Sequence, residues 1–261
     1  EQDFYNLLEV YIDSVFHPLL TPMSFLQEGH RLEFENPSDS TTPLQYKGVV
    51  FNEMKGALSS PSTRLFEAVT KYLFPGSPYG YNSGGDPADI PSLTHESLVQ
   101  FHKTYYHPTR SLFFFYGNMR LEKHLDFIAE KALKHVKKIA PLPPIPYQER
   151  MLTPVRKEFF YPSSQNEEQN ETSANNNLLG FGFLTTSTLD GMTILGLNML
   201  DIILMDTDAS LLKYALIQSG LCTQASAYLG SETLEVPYII VLKGVKENSE
   251  NRKKMLENDY F

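Results

Sequence analysis

Seven histidines, a single cysteine and one glutamate set among apolar residues are the groups in this chain whose types could do chemistry. A zinc-binding helix presents two histidines at i and i+4, because that spacing puts both imidazoles within reach of one ion. His95 and His102 are i, i+7, and His124 and His135 are i, i+11, so neither pair meets it. The chain contains no HxxEH, HExxH, CxxC or GxSxG. The histidines are therefore read as packing and surface residues, and Cys222 as a small core residue. "NSGGDP" (82–87) lacks the Gly-Lys-Ser/Thr of a phosphate loop and reads as a rigid turn. "GFGFLT" (180–185) lacks the third glycine of a dinucleotide fingerprint and reads as strand.

Glu53 remains. In "GVVFNEMKG" (48–56), Tyr46, Val49, Val50 and Met54 fall at i, i+3, i+4 and i+8 of one helical stripe, and Glu53 occupies i+7. A carboxylate on a core-facing stripe is costly unless something pairs with it. The side chain snorkels at the stripe's edge, bridges to a nearby Lys or Arg, or has some other partner that its own segment does not name.

The elements that would position these groups follow from periodicity. The patterns predict amphipathic helices over 3–17, with Phe4, Leu7, Leu8, Tyr11 and Val15 on the inner face, and over 43–55, 61–74 and 121–138. Thr94 can cap a helix carrying His95 and His102, with Ser97 in place of the Glu of a full capping box. "RLEFE" (31–35), "SLFFFYG" (111–117) and "LLGFGFLTT" (178–186) read as strands, the second of them buried. Helix returns over 189–219 as one long or two shorter pieces, followed by "GLCTQASAYLG" and "VPYIIVLKGV" as strands of a hairpin or meander. The stretch 74–91 holds four Pro and four Gly, too many for regular structure. The stretch 140–157 holds five prolines and reads as a semi-rigid linker, which divides the chain into 1–139 and 158–261. A polar run at 163–177 reads as a loop, and the last residues as part of a helix.

A length of 261 residues suits one large or two modest domains, and the fold class is α+β. The net charge of −9 argues against nucleic-acid binding and gives no reason for attraction to anionic membranes. One cysteine permits no intrachain disulfide, which suits a reducing compartment, cytoplasm or organelle matrix.

The stretches "QEGHRLEFENPSDSTTPLQYKGVVFNEMKGALSSP" and "SGGDPADIPSLTHESLVQFHKTYYHPTRSLFFFYGNM" closely resemble the presequence protease and falcilysin branch of the pitrilysin-type zinc peptidases. The resemblance runs more loosely to about residue 245. It implies an α+β fold of antiparallel sheets with helices mainly on one face. It also implies a zinc site of two histidines and a base in HxxEH, with a third ligand that maps onto Glu53. The HxxEH is expected upstream of residue 1, so no catalytic residue is expected within these 261. On this reading 1–139 is the second part of a catalytic domain. Residues 158–261 begin the next, non-catalytic domain of the same fold, so that both are incomplete. The implied parent is a zinc-dependent endopeptidase acting on short unstructured peptides such as cleaved targeting peptides. The alternative is an inactive structural or processing-partner homologue. By itself the fragment is expected to be inactive, to hold no zinc, and to self-associate through exposed apolar surface.

Overall fold

The computed structural model describes residues 1–161 and 177–245. The polar run at 163–177 falls almost entirely outside these residues, and the expected terminal helix falls wholly outside them. By proximity the chain forms two compact units, Glu1–Met54 with Gly84–Pro144, and Lys55–Ser83 with Ile145–Phe261. The Pro-rich stretch thus marks one crossing, while residues 55–83 group with the second unit rather than with 1–139.

In the first unit, helix α1 (Gln2–Phe16) packs Leu8, Ile12 and Phe16 with Ile128, Ala132, Phe113 and Phe115. The expected inner face was different: Phe4, Leu7 and Tyr11 are exposed. Helix α1 is apolar over more than one face, and its partner α6 (Leu121–Ile128) selects the adjacent stripe. After α6 the helix widens into a π-helical turn, Ala129–Leu133. Ion pairs Lys123–Glu1 and Lys131–Glu9 join the same two helices at the surface. Helix α2 (Pro22–Glu28) starts on Thr21, whose side chain accepts from the Ser24 N–H.

Strands β1 (Arg31–Phe34) and β2 (Leu44–Lys47) then form an antiparallel pair, Arg31 opposite Lys47 and Phe34 opposite Leu44. The helix expected over 43–55 therefore begins late, and Tyr46 belongs to a strand. Helix α3 (Val49–Ala57) starts immediately after Gly48. A Cβ on Gly48 would stand 2.1 Å from the Gly29 carbonyl oxygen, so the backbones meet at a point only glycine permits. Helix α5 (His95–Tyr105) has a complete capping box, contrary to expectation. The Ser97 hydroxyl accepts from the Thr94 N–H, and Thr94 accepts from the Ser97 N–H, both at 3.1 Å.

"SLFFFYG" departs furthest from expectation. It runs extended but joins no ladder among the described residues. Phe113 and Phe115 face the α1–α6 core, while Leu112, Phe114 and Tyr116 are 92%, 81% and 96% exposed. The segment has the period of a strand but, among the described residues, not the neighbours of one.

The second unit is built on an antiparallel sheet ordered β3 (Asn177–Ser187), β5 (Glu235–Val245), β4 (Gln224–Leu229). Helix α4 (Pro61–Leu73), capped by Ser60, lies across β3. A Cβ on Gly182 would stand 2.5 Å from Val69 Cγ1, so the two glycines of "GFGF" are there for close helix–strand packing. Leu73, Phe74 and Ile239 are buried with Phe66, Val69 and Leu184. On a second cluster, Met205, Cys222, Ala225, Ile240 and Leu242 pack with Leu212 and Leu216. Leu212 and Leu216 belong to α8 (Leu211–Gln218), and Met205 to the π-helical turn Ile202–Asp206 that follows α7 (Gly191–Asp201). Residues 145–161 are not a free tether. Arg150 reaches Glu235 at 2.8 Å and the Thr185 carbonyl at 3.0 Å.

Candidate metal-ligand helix

Helix α3 is fixed in place by one buried pair. Phe51 and Met54 close on Ile90, and Gly84 of the "NSGGDP" turn lies so close to Met54 that a Cβ would meet its sulfur at 2.3 Å. The Gly-rich turn is thus a buttress for α3 and no phosphate cradle. With Phe51 and Met54 inward, the helical period sends Val49, Val50 and Glu53 to the opposite side. All three are exposed, Val49 by 52% and Val50 by 36%.

This corrects the expectation that Glu53 faces the core. It does lie in a helix, on the same face as Val49 and Val50, but that face is open in this chain. No desolvation cost therefore argues for a cation at Glu53 here. Nor does a salt bridge explain it, because no Lys or Arg forms an ion pair with it among the described residues. What remains is a hard oxygen donor on a well-anchored helix, bordered by two exposed valines. That fits a single ligand position of a zinc ion and cannot by itself make a site, which needs three. Among the described residues no three His, Cys, Asp or Glu gather around a point.

Five of the seven histidines are employed elsewhere. His30, His95 and His102 each turn Nε2 on a backbone carbonyl, of Leu93 at 2.9 Å, Leu20 at 2.6 Å and Val15 at 2.8 Å. His107 accepts from the Thr109 N–H at 3.3 Å. His124 is buried, with Nδ1 3.0 Å from the Tyr5 hydroxyl and its ring stacked on Phe115 at 4.2 Å. These contacts clasp loops and helices of the first unit. Cys222 is buried and burial pushes its thiol up, which leaves it inert.

The carboxylate that does pair in the interior is Glu235, 3% exposed at the head of β5. It holds Arg150 and accepts from the Gln148 N–H. An ionisable residue opening a long apolar strand was its signal, the same kind of signal that drew attention to Glu53. Near the sheet's other face, Tyr238 donates to Asp201 at 2.8 Å, and burial together with that neighbour pushes the phenol well above its usual range.

Comparison with known proteins puts these features in a family context. Residues 92–258 match the family described as "Peptidase M16 inactive domain". The chain is 40% identical to "Presequence protease, mitochondrial" of Xenopus tropicalis, over 98% of this chain and 25% of that protein. It is 37% identical to "Presequence protease 1, chloroplastic/mitochondrial" of Arabidopsis thaliana, over 98% of this chain and 23% of that protein. "Protein HypA" of Clostridium perfringens is 35% identical over 99% of this chain and 26% of its own length. The fold is shared with a protease from Helicobacter pylori, at a TM-score of 0.62 and 16% identity, over 98% of this chain and 56% of that chain. The chain thus spans about a quarter of the length of the curated relatives it matches.

Proposed function

The chain belongs to the peptidase M16 family, and from that premise we propose that it is one part of a zinc-dependent endopeptidase that degrades short unstructured peptides, cleaved targeting peptides among them. The observation that carries this reading is the open face of α3. An unpaired carboxylate stands there between exposed valines, in the "FNEMKG" segment that resembles the ligand motif of the presequence protease branch. Glu53 would hold one position of the ion. The two histidines and the base belong to an HxxEH segment that these 261 residues do not contain. A zinc ion, when bound, supplies Lewis-acid polarisation and lowers the pKa of water to about 7. The residues of this chain do the positioning: Phe51, Met54 and Ile90 fix α3, and Gly84 permits the close approach of the turn.

In this reading residues 1–139 complete a catalytic domain, 158–261 begin a non-catalytic domain of the same fold, and 140–157 connect them, although 55–83 and 145–157 group with the second unit by proximity. The exposed side of "SLFFFYG" and the face of α3 are then covered by further parts of the parent, or by a second copy when the chain is alone. The names of these relatives favour a mitochondrial or chloroplast setting, and among the described residues no helix is long and apolar enough to cross a membrane.

A second reading, an inactive structural partner, draws on the family description of this region as inactive. Metal content separates the two. The parent should hold about one zinc per chain and lose peptide turnover on chelation, while the 261 residues alone should show no tight zinc binding by isothermal titration. A parent without zinc, and without turnover, would favour the inactive partner.

A further inference from the structure

Helix α7 and the π-helical turn after it are apolar on more sides than their own unit covers. Ile194 and Leu197 are half-buried, and Met205 lies in the core. Met192, Leu195, Met199 and Ile202 are 79%, 54%, 58% and 58% exposed. Their spacing of i, i+3, i+7 and i+10 sets them on one stripe. A helix that is apolar on opposite sides is ordinarily covered on both, and among the described residues nothing covers this stripe. The charge beside it is of one sign. Residues 190–212 hold Asp190, Asp201, Asp206 and Asp208 and no Lys, Arg or His. Asp190 accepts from the Thr193 N–H at the start of α7, Asp201 accepts from Tyr238, and Asp208 pairs with Lys213. Asp206, four residues after Ile202, is exposed and forms no ion pair among the described residues. The carbonyls at the end of a helix add negative potential around it.

We infer that this stripe docks a basic amphipathic helix supplied by a targeting peptide, its apolar residues at i, i+3 and i+7 on the stripe and its Lys or Arg beside the aspartates. Helix-on-helix recognition of this kind is read through such apolar anchors, and flanking charges of opposite sign set the choice of partner. Thioether side chains suit it, because Met repacks against partners of varied sequence. Organelle-targeting peptides have this chemistry, being amphipathic, rich in Arg and poor in acidic residues. A short peptide of this kind holds little helix in water, so it arrives unstructured and orders on the stripe. Two copies of α7 would set aspartate against aspartate in either orientation, which makes a second copy the poorer occupant. An anionic membrane surface is repelled for the same reason. Only the source of the helix rests on the peptidase reading. The charge preference of the stripe does not, and it is measured without turnover, so the failure of one is distinguishable from the failure of the other.

The test is titration of the 261-residue chain, labelled with ¹³C at its methionine methyls, with an amphipathic Leu/Lys peptide of about 14 residues and with its Leu/Glu counterpart. The Leu/Lys peptide should shift the methyls of Met192 and Met199 and leave that of Met54, buried beside α3, in place. The Leu/Glu peptide should bind about tenfold more weakly or worse, a difference that added salt reduces. Leu195→Ser alters an exposed residue, so the fold should survive while Leu/Lys binding falls several-fold. Asp206→Asn should narrow the gap between the two peptides. Equal binding of both peptides, binding unchanged in Leu195→Ser, or no methyl shift at millimolar peptide would overturn the inference. So would methyl shifts that follow the concentration of the chain alone, the mark of a second copy, or shifts produced by phosphatidylcholine vesicles in place of peptide.

Discussion

Two apolar runs of this chain, "PYIIVLKGV" and "SLFFFYG", have equal claims to be strands by composition, and they come to opposite ends. The first lies in β5, paired with β3 on one side and β4 on the other, with Ile239 and Leu242 at most 1% exposed. The second has strand period, one face on the α1–α6 core, and no ladder among the described residues. Side-chain pattern decides which face turns inward. Whether a run becomes a strand depends on a neighbouring backbone, which its own residues cannot supply.

The largest effect should come from the paired run. Ile239→Ala removes a side chain with no exposure from between α4 and the sheet, and should cost about 3 kcal/mol in urea denaturation. A loss below about 1 kcal/mol would mean that the sheet is not the core of its unit. Next is Arg150→Ala, which leaves Glu235 buried with the Gln148 amide as its remaining donor. Because the guanidinium is half exposed, the expected loss is about 2 kcal/mol, below the usual figure for breaking a buried pair. It should be accompanied by faster proteolysis within 145–161, since the same arginine fastens that stretch. Gly182→Ala should cost about 1–2 kcal/mol, with the new methyl forcing Val69 aside.

The smallest effect on stability should come from the unpaired run. Phe114→Ser alters a residue that is 81% exposed and should change stability by no more than about 0.5 kcal/mol. Sedimentation velocity should nevertheless show less self-association, because an exposed apolar face has been interrupted. Unchanged association would place the contact elsewhere, for example on the exposed side of α7, where Met192, Leu195 and Met199 stand in solvent.

The sequence made much of this legible. Strand β3, helices α4, α7 and α8, and the β4–β5 hairpin are all visible in periodicity and turn residues, because each pairs or packs within its own unit. The misreadings share one cause. The inner face of α1, the start of α3 and the fate of residues 111–117 each depend on partners distant in sequence: α6, the Gly29–Gly48 approach, and a strand neighbour that the described residues do not supply. The cost of burying a carboxylate falls on a different residue from the one periodicity singles out. Glu235 is the buried glutamate with partners, whereas Glu53 is exposed and draws its interest from family resemblance and from the open valine face around it.

Glu53, proposed here as a zinc ligand of the intact parent, can be examined through Glu53→Gln. The substitution keeps size and leaves the Phe51–Met54–Ile90 anchor untouched, so the fold should survive. Zinc content, measured by elemental analysis after dialysis, should fall with an affinity loss of at least about 10-fold, taking the effect of a supporting group as the lower bound. Peptide turnover should fall with it and recover only in part on adding zinc. Zinc content and turnover both equal to those of the unaltered parent would contradict the account and leave Glu53 an ordinary solvated carboxylate.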